Sequence, residues 1–152
     1  MKPTARTIAP SSGTPGPSTD LRTSMSGVRL ALAAPAAGTA RAWAERLEFA
    51  LVDLSAHLRA HGVANDPGGW SHEVLTAAPR LSNAVGHLTR EHDQIIGLVG
   101  SILARLGPHD PTMGVERVRD LGLALLERLS RHRQRGSDLL FEAYLGDIGG
   151  ES

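Results

Sequence analysis

The chain has 152 residues, no net charge when histidine is neutral, and 41% hydrophobic residues. These values fit one soluble globular domain with room for a core. Zero net charge and an aromatic content of 3% argue against nucleic-acid and anionic-membrane partners. Cysteine is absent, which excludes disulfides, thiolate catalysis, iron–sulfur clusters and cysteine-ligated zinc. A bound metal would therefore need imidazole and carboxylate ligands.

Residues 1–38 predict a disordered tail. Five prolines lie among Ser, Thr, Gly and Ala without helical or strand periodicity, and such a segment buries too little apolar surface to offset its ordering entropy. Met25 is an alternative to Met1 as the true start. The apolar stretch 28–40 is short and interrupted by Pro35, so a signal peptide is not predicted. No stretch could span a bilayer, and the expected location is the cytoplasm.

Residues 39–146 predict a helical domain. Apolar residues recur at steps of three and four in three long stretches, at about 41–61, 79–106 and 111–144, as in amphipathic helices. Ser71 is a candidate cap for a short helix that ends near Ala77. Short connections favour antiparallel neighbours. The predicted fold is all-α, an antiparallel bundle of three long helices plus a short helix, with a flexible C-terminal tail at 147–152.

Each long helix places a histidine on its apolar stripe, namely His57, His92 and His132. Burying imidazole among leucines costs free energy unless the ring has a partner, so this pattern predicts either a polar network or a metal site. In an antiparallel bundle, His57, the pair His87 and Glu91, and His132 would lie at similar heights. This agreement favours a single site.

The spacing within each helix also fits a metal site. His57 and His61 are four residues apart and share a face, and His87 and Glu91 offer a nitrogen and an oxygen ligand in the same way. Such ligands suit iron, manganese or zinc. The predicted metal ligands are His57, His61, His87, Glu91, His92 and His132.

The pair His87-x-x-x-Glu91, with His57 and His132 as single ligands, resembles the pattern of the hemerythrin-like, or HHE cation-binding, family. The resemblance covers about residues 40–145. That family forms a four-helix bundle that carries two oxo-bridged irons. The resemblance implies a non-haem iron protein that senses, stores or scavenges dioxygen or peroxide.

Two other functions are compatible with the same residues. The first is a non-enzymatic helical protein–protein interaction module, in which the histidines form a buried polar network. Its arginine-rich third helix or the tail from Asp147 would contact a partner protein. A homo-oligomer is also compatible with the sequence, because three helices with a leucine-rich stripe could recruit a fourth from another subunit. The second is pH sensing, with stability that falls steeply below about pH 6. No catalytic motif is present, so enzymatic activity is not predicted.

Several charged residues have simpler interpretations. His61 lies beside Gly62 and, when protonated, would be stabilised by the negative end of its helix. Glu91 can form an ion pair with Arg131 on the third helix. The arginines of that helix, Arg131 and Arg135 among them, are expected to form a solvated face.

Overall fold

The computed structural model describes residues 20–36, 40–60, 70–107 and 114–149, and all regular structure in these ranges is helical. The elements in chain order are α1 (Leu21–Ala33), α2 (Ala40–Ala60), α3 (Trp70–Ala77), a 3₁₀ turn (Pro79–Leu81), α4 (Ser82–Leu106) and α5 (Val115–Gly149). The all-α prediction is confirmed. None of these helices is both long and apolar enough to cross a membrane.

Helix α1 lies inside the segment predicted to be disordered, so that prediction was wrong for residues 21–33. The side chain of Asp20 caps the helix by accepting a hydrogen bond from the Thr23 amide at 2.7 Å. Met25, Val28 and Leu32 form a buried stripe with helical spacing. The surrounding prolines hid this pattern in the sequence. The rest of the predicted tail, 1–19 and 37–39, is outside the described residues.

The three long predicted helices correspond to α2, α4 and α5, and the short one to α3. Pro79 begins a 3₁₀ turn, and α4 follows at Ser82. Helix α5 continues to Gly149, so the prediction of a flexible tail was wrong for residues 147–149. No proline interrupts this stretch, and a glycine inside a helix costs only about 1 kcal/mol. Residues 150–152 are outside the described ranges.

The main core is formed by α1, α2, α4 and α5. Its side chains lie on the apolar stripes of these helices, and those with at most 1% exposure are Val28, Trp43, Leu47, Leu51, Leu54, Leu58, Ile95, Val99, Val118, Leu125 and Leu129. Burial of one such side chain contributes about 1.5–3 kcal/mol. The sequence stripes therefore identified most of this core correctly.

A second, smaller core lies where α3 packs against the C-terminal part of α5. It consists of Val74, Ala78, Leu81, Val85 and Ala143. Because α4 and α5 contribute to both cores, they connect the two parts of the domain.

The end of α1 is held by Arg119 of α5. Its guanidinium donates to the Leu32 carbonyl at 3.0 Å and to the Ala34 carbonyl at 2.9 Å. Carbonyl groups in this position lack donors within their own helix. The same guanidinium lies 5.4 Å from the centre of the Trp43 ring, which adds a cation–π contact. Arg119 thus links α1, α2 and α5.

Candidate functional site

Three buried polar side chains come together between α4 and α5. Glu91 and His92 are consecutive residues of α4, and His132 lies on α5; their exposures are 8%, 6% and 7%. The centres of the two imidazole rings are 5.7 Å apart. We call Glu91, His92, His132 and their partner Arg135 the polar network.

Glu91 is the centre of the polar network. Its Oε1 lies 2.8 Å from His132 Nδ1, and its Oε2 lies 2.9 Å from Arg135 Nη1. An ionised carboxylate only accepts hydrogen bonds, so His132 donates through Nδ1–H. In the neutral imidazole, Nε2 is then the unprotonated nitrogen.

His92 connects the polar network to α2. Its Nε2 lies 2.7 Å from the carbonyl oxygen of Leu58, which can only accept, so Nε2 carries the proton. Leu58 lies in the last turn of α2, where carbonyl groups have no donor within the helix. The histidine on the α4 stripe therefore satisfies a buried carbonyl that the leucine packing would otherwise isolate.

The protein shifts the pKa of both members of the Glu91–His132 pair. Burial raises the pKa of Glu91, but the hydrogen bond from His132 and the charge of Arg135 outweigh it, and the net pKa is below 4.5. Burial lowers the pKa of His132 below 6.5, and the hydrogen bond to Glu91 opposes this only in part. At neutral pH the pair is therefore an ionised carboxylate and a neutral imidazole.

A cavity of about 510 Å³ borders the polar network. His92 and His132 contribute to its wall, together with residues of α1, α2 and α5. The other lining residues are Leu21, Arg22, Leu58, Leu129, Ser130, Arg133, Gln134, Gly136, Ser137 and Leu140. This volume is within the range of small-molecule sites.

The other predicted ligands are distributed differently. His57 is partly buried, and its Nε2 lies 3.7 Å from Asp53 Oδ1 on the same helix. His87 is exposed, although Glu91, one turn later, is buried. His61 is outside the described residues.

Within the part of the chain that the structure describes, no three His, Cys, Asp or Glu side chains are arranged to hold a metal ion. Because His61 is outside that part, the six-residue metal site of the sequence analysis stays a prediction.

Sequence reasoning did not identify Arg135 as the partner of Glu91. The expected partner, Arg131, instead forms an exposed pair with Glu127 at 3.4 Å. Arg135 is three residues after His132 and so lies beside it on α5. This three-residue spacing is the feature of the sequence that could have identified Arg135 as the partner of Glu91.

No protein-family model, curated protein or solved structure matches this chain. The similarity to the hemerythrin-like family therefore stays a prediction that depends on the short motif at His87 and Glu91.

Proposed function

We propose that this chain is a non-enzymatic helical interaction module that associates with a second copy of itself along α5. The proposal includes an antiparallel arrangement of the three long helices. In it, the polar network is structural, since the carboxylate oxygens of Glu91 and one ring nitrogen each of His92 and His132 have protein partners.

The observation that carries this proposal is a set of exposed apolar side chains at two points along one face of α5. Leu123 is 53% exposed and Phe141 66% exposed. They are eighteen residues apart, or about five helical turns, and so lie on the same face about 27 Å apart. Tyr144 and Leu145 extend this face, with exposures of 47% and 51%. The chain has only five aromatic residues, and this face presents two of them to solvent.

A second copy would complement this face in the positions of its apolar residues and in charge. In an antiparallel pair of α5 helices, Leu123 of one copy meets Phe141 of the other, which gives a two-fold symmetric contact. Residues 117–135 contain six arginines and two acidic residues, whereas residues 136–152 contain four acidic residues and no basic one. The antiparallel pairing places basic halves against acidic halves, and zero net charge means that no overall repulsion opposes it.

Sedimentation of the full chain tests the proposal. We expect a dimer, and Phe141→Asp should raise its dissociation constant at least about thirtyfold, as loss of a buried aromatic anchor does. Phe49→Asp is the matched control, because Phe49 is 61% exposed but lies on α2. A monomer at every concentration, or equal effects of the two substitutions, would overturn the proposal.

Metal binding at Glu91, His92 and His132, with His57, His61 and His87 as further ligands, is the second candidate. The meeting of two imidazoles and a carboxylate from two helices favours it. A cation at Glu91 would need to displace the Arg135 guanidinium, which lies 2.9 Å from the carboxylate. The arrangement of these side chains therefore does not fit a metal ion as it stands.

Metal analysis after anaerobic loading with iron(II), manganese(II) or zinc(II) separates the two candidates. A structural network predicts substoichiometric metal and no near-ultraviolet charge-transfer band after exposure to air. Stoichiometric metal binding that is lost in His132→Gln would support the metal site. It would also mean that the Arg135 guanidinium leaves Glu91 when the metal binds.

A further inference from the structure

We propose that the cavity beside the polar network is a binding site for a small organic acid, with a carboxylate group and a short hydrocarbon body. Ser130, Gln134 and Ser137 of its lining also lie on the α5 face between Leu123 and Phe141, so the two proposals concern adjoining surfaces. Sedimentation tests the self-association and calorimetry tests the ligand, so failure of one can be told from failure of the other. The proposal depends on the charge, the composition and the shape of the cavity lining.

The lining carries positive charge without a compensating carboxylate. Arg22 and Arg133 both contribute to it, and no Asp or Glu does. Among the described residues, neither arginine forms an ion pair. Arg133 Nη1 lies 3.8 Å from the sulfur of Met25, which is a weak acceptor. The Arg133 guanidinium is therefore available to an anionic ligand, and Arg22 adds positive charge to the same lining.

The carboxylates adjacent in sequence to the lining are already used within the protein. Asp20 accepts from the Thr23 amide at 2.7 Å, and Asp138 accepts from Gln134 at 2.9 Å. Glu91 is held by His132 and Arg135. Asp20 also interacts electrostatically with Arg22, whereas no ion pair involves Arg133 among the described residues. Arg133 is therefore the group that favours a negatively charged ligand over a neutral or cationic one.

The rest of the lining fits an apolar body. Leu21, Leu58, Leu129 and Leu140 come from three helices. Leu58 and Leu129 are buried beneath the surface of the site, whereas Leu21 and Leu140 are partly exposed and Arg133 is exposed. A ligand of this class would place its hydrocarbon part against Leu21 and Leu140 and its carboxylate at Arg133. Guanidinium groups bind carboxylates with two parallel hydrogen bonds.

Substitution of Gly136 is a way to block the site without disturbing helix α5. It lines the cavity, and a Cβ atom built on it has nothing within 4 Å. A leucine side chain there would extend from α5 toward the space that the ligand needs. Leucine also has a higher helix propensity than glycine, so the Gly136→Leu protein should fold at least as well as the original.

The experiment is calorimetric titration of the full chain with octanoate, compared with octanol, octylammonium and acetate. We expect octanoate to bind more tightly than the other three. Gly136→Leu should weaken octanoate binding at least tenfold, whereas Gly97→Leu on α4, also with open space at its Cβ, should leave it unchanged. Retained helical circular dichroism and thermal stability show that each variant is folded.

A second pair of variants tests the charge. Arg133→Gln should weaken octanoate binding about tenfold, the usual effect of losing a charged hydrogen bond, and should leave octanol unaffected. Arg131→Gln removes the same charge from α5 outside the cavity and should have no effect. The proposal is overturned if octanoate does not bind, if octanol binds equally well, or if Gly136→Leu or Arg133→Gln changes binding no more than its control.

Discussion

Glu91 is the residue on which the polar network depends, because its two carboxylate oxygens accept from different side chains. His132 is bound at Oε1 and Arg135 at Oε2. A buried carboxylate without such partners would strongly favour its neutral form. Two side chains of α5 therefore hold Glu91 of α4 in its ionised form.

Replacing Glu91 by glutamine should lower the free energy of unfolding by about 1–3 kcal/mol. The amide oxygen can still accept from His132, but the attraction to Arg135 is lost. We expect the lower part of this range, because the Arg135 side chain is 46% exposed and solvent screens it.

Urea denaturation near neutral pH measures the effect. Glu127→Gln is the control, since Glu127 forms an exposed pair with Arg131 and should change stability by less than about 0.5 kcal/mol. Equal losses in the two variants would contradict a special role for Glu91.

The pKa values of the same pair predict a dependence of stability on pH. The pKa of His132 is lowered from 6.5 and that of Glu91 from 4.5, so at acidic pH the unfolded chain binds more protons than the folded one. The stabilisation is fully present above pH 6.5 and is lost on acidification, first through His132 and then, below 4.5, through Glu91.

His132→Gln should remove the first part of this loss, whereas substitution of the exposed His72 by glutamine should not. Unfolding free energies measured from about pH 8 to about pH 4 check both statements. Stability that stays constant or rises on acidification would contradict the assignment of a neutral, buried His132.

Between elements, α5 approaches α1 closely at Gly122. A Cβ atom at this position would lie 2.7 Å from both methyl carbons of Leu32. Leu32 is 2% exposed, so it has little space into which it can move. Gly122 therefore allows α1 to pack against α5.

Gly122→Ala should destabilise the protein by about 1–2 kcal/mol relative to Gly97→Ala, because the clash outweighs the gain in helix propensity. Gly97 has open space at its Cβ, and its substitution should be stabilising. Thermal unfolding of the two variants gives the comparison. A stabilised Gly122→Ala protein would show that α1 packs more loosely against α5.

The sequence predicted the elements better than the contacts between them. Apolar periodicity is a local property, and it located α2, α4 and α5 and the burial of His92 and His132. It missed α1, whose stripe is short and lies among prolines. The choice between Arg131 and Arg135 as partner of Glu91 depends on a shift of one helical turn, about 5.4 Å, which spacing within one helix does not determine. His87 is exposed for a similar reason, because the rotation of α4 about its axis decides which of two neighbouring positions faces inward.

At the scale of the whole molecule, the domain contains two cores of different size connected by α4 and α5. The smaller one consists of Val74, Ala78, Leu81, Val85 and Ala143. Two of these five side chains are alanines, which bury little apolar area. The region around α3 therefore has less stabilisation to lose before it opens.

We expect α3 to open before the main core does. The amide hydrogens of α3 (Trp70–Ala77) should exchange at least about tenfold faster than those in the middle of α2, because local opening costs less free energy where fewer apolar contacts are broken. Val74→Ala should accelerate exchange in α3 and in the part of α5 around Ala143, and leave α2 unchanged.

Val99→Ala is the matched control. Both valines are fully buried, but Val99 belongs to the main core, so its truncation should accelerate exchange throughout the domain. Mass spectrometry of exchanged peptides distinguishes these patterns. If both substitutions accelerate exchange equally in every helix, the two cores unfold as one cooperative unit, and the division of the domain described above has no energetic counterpart.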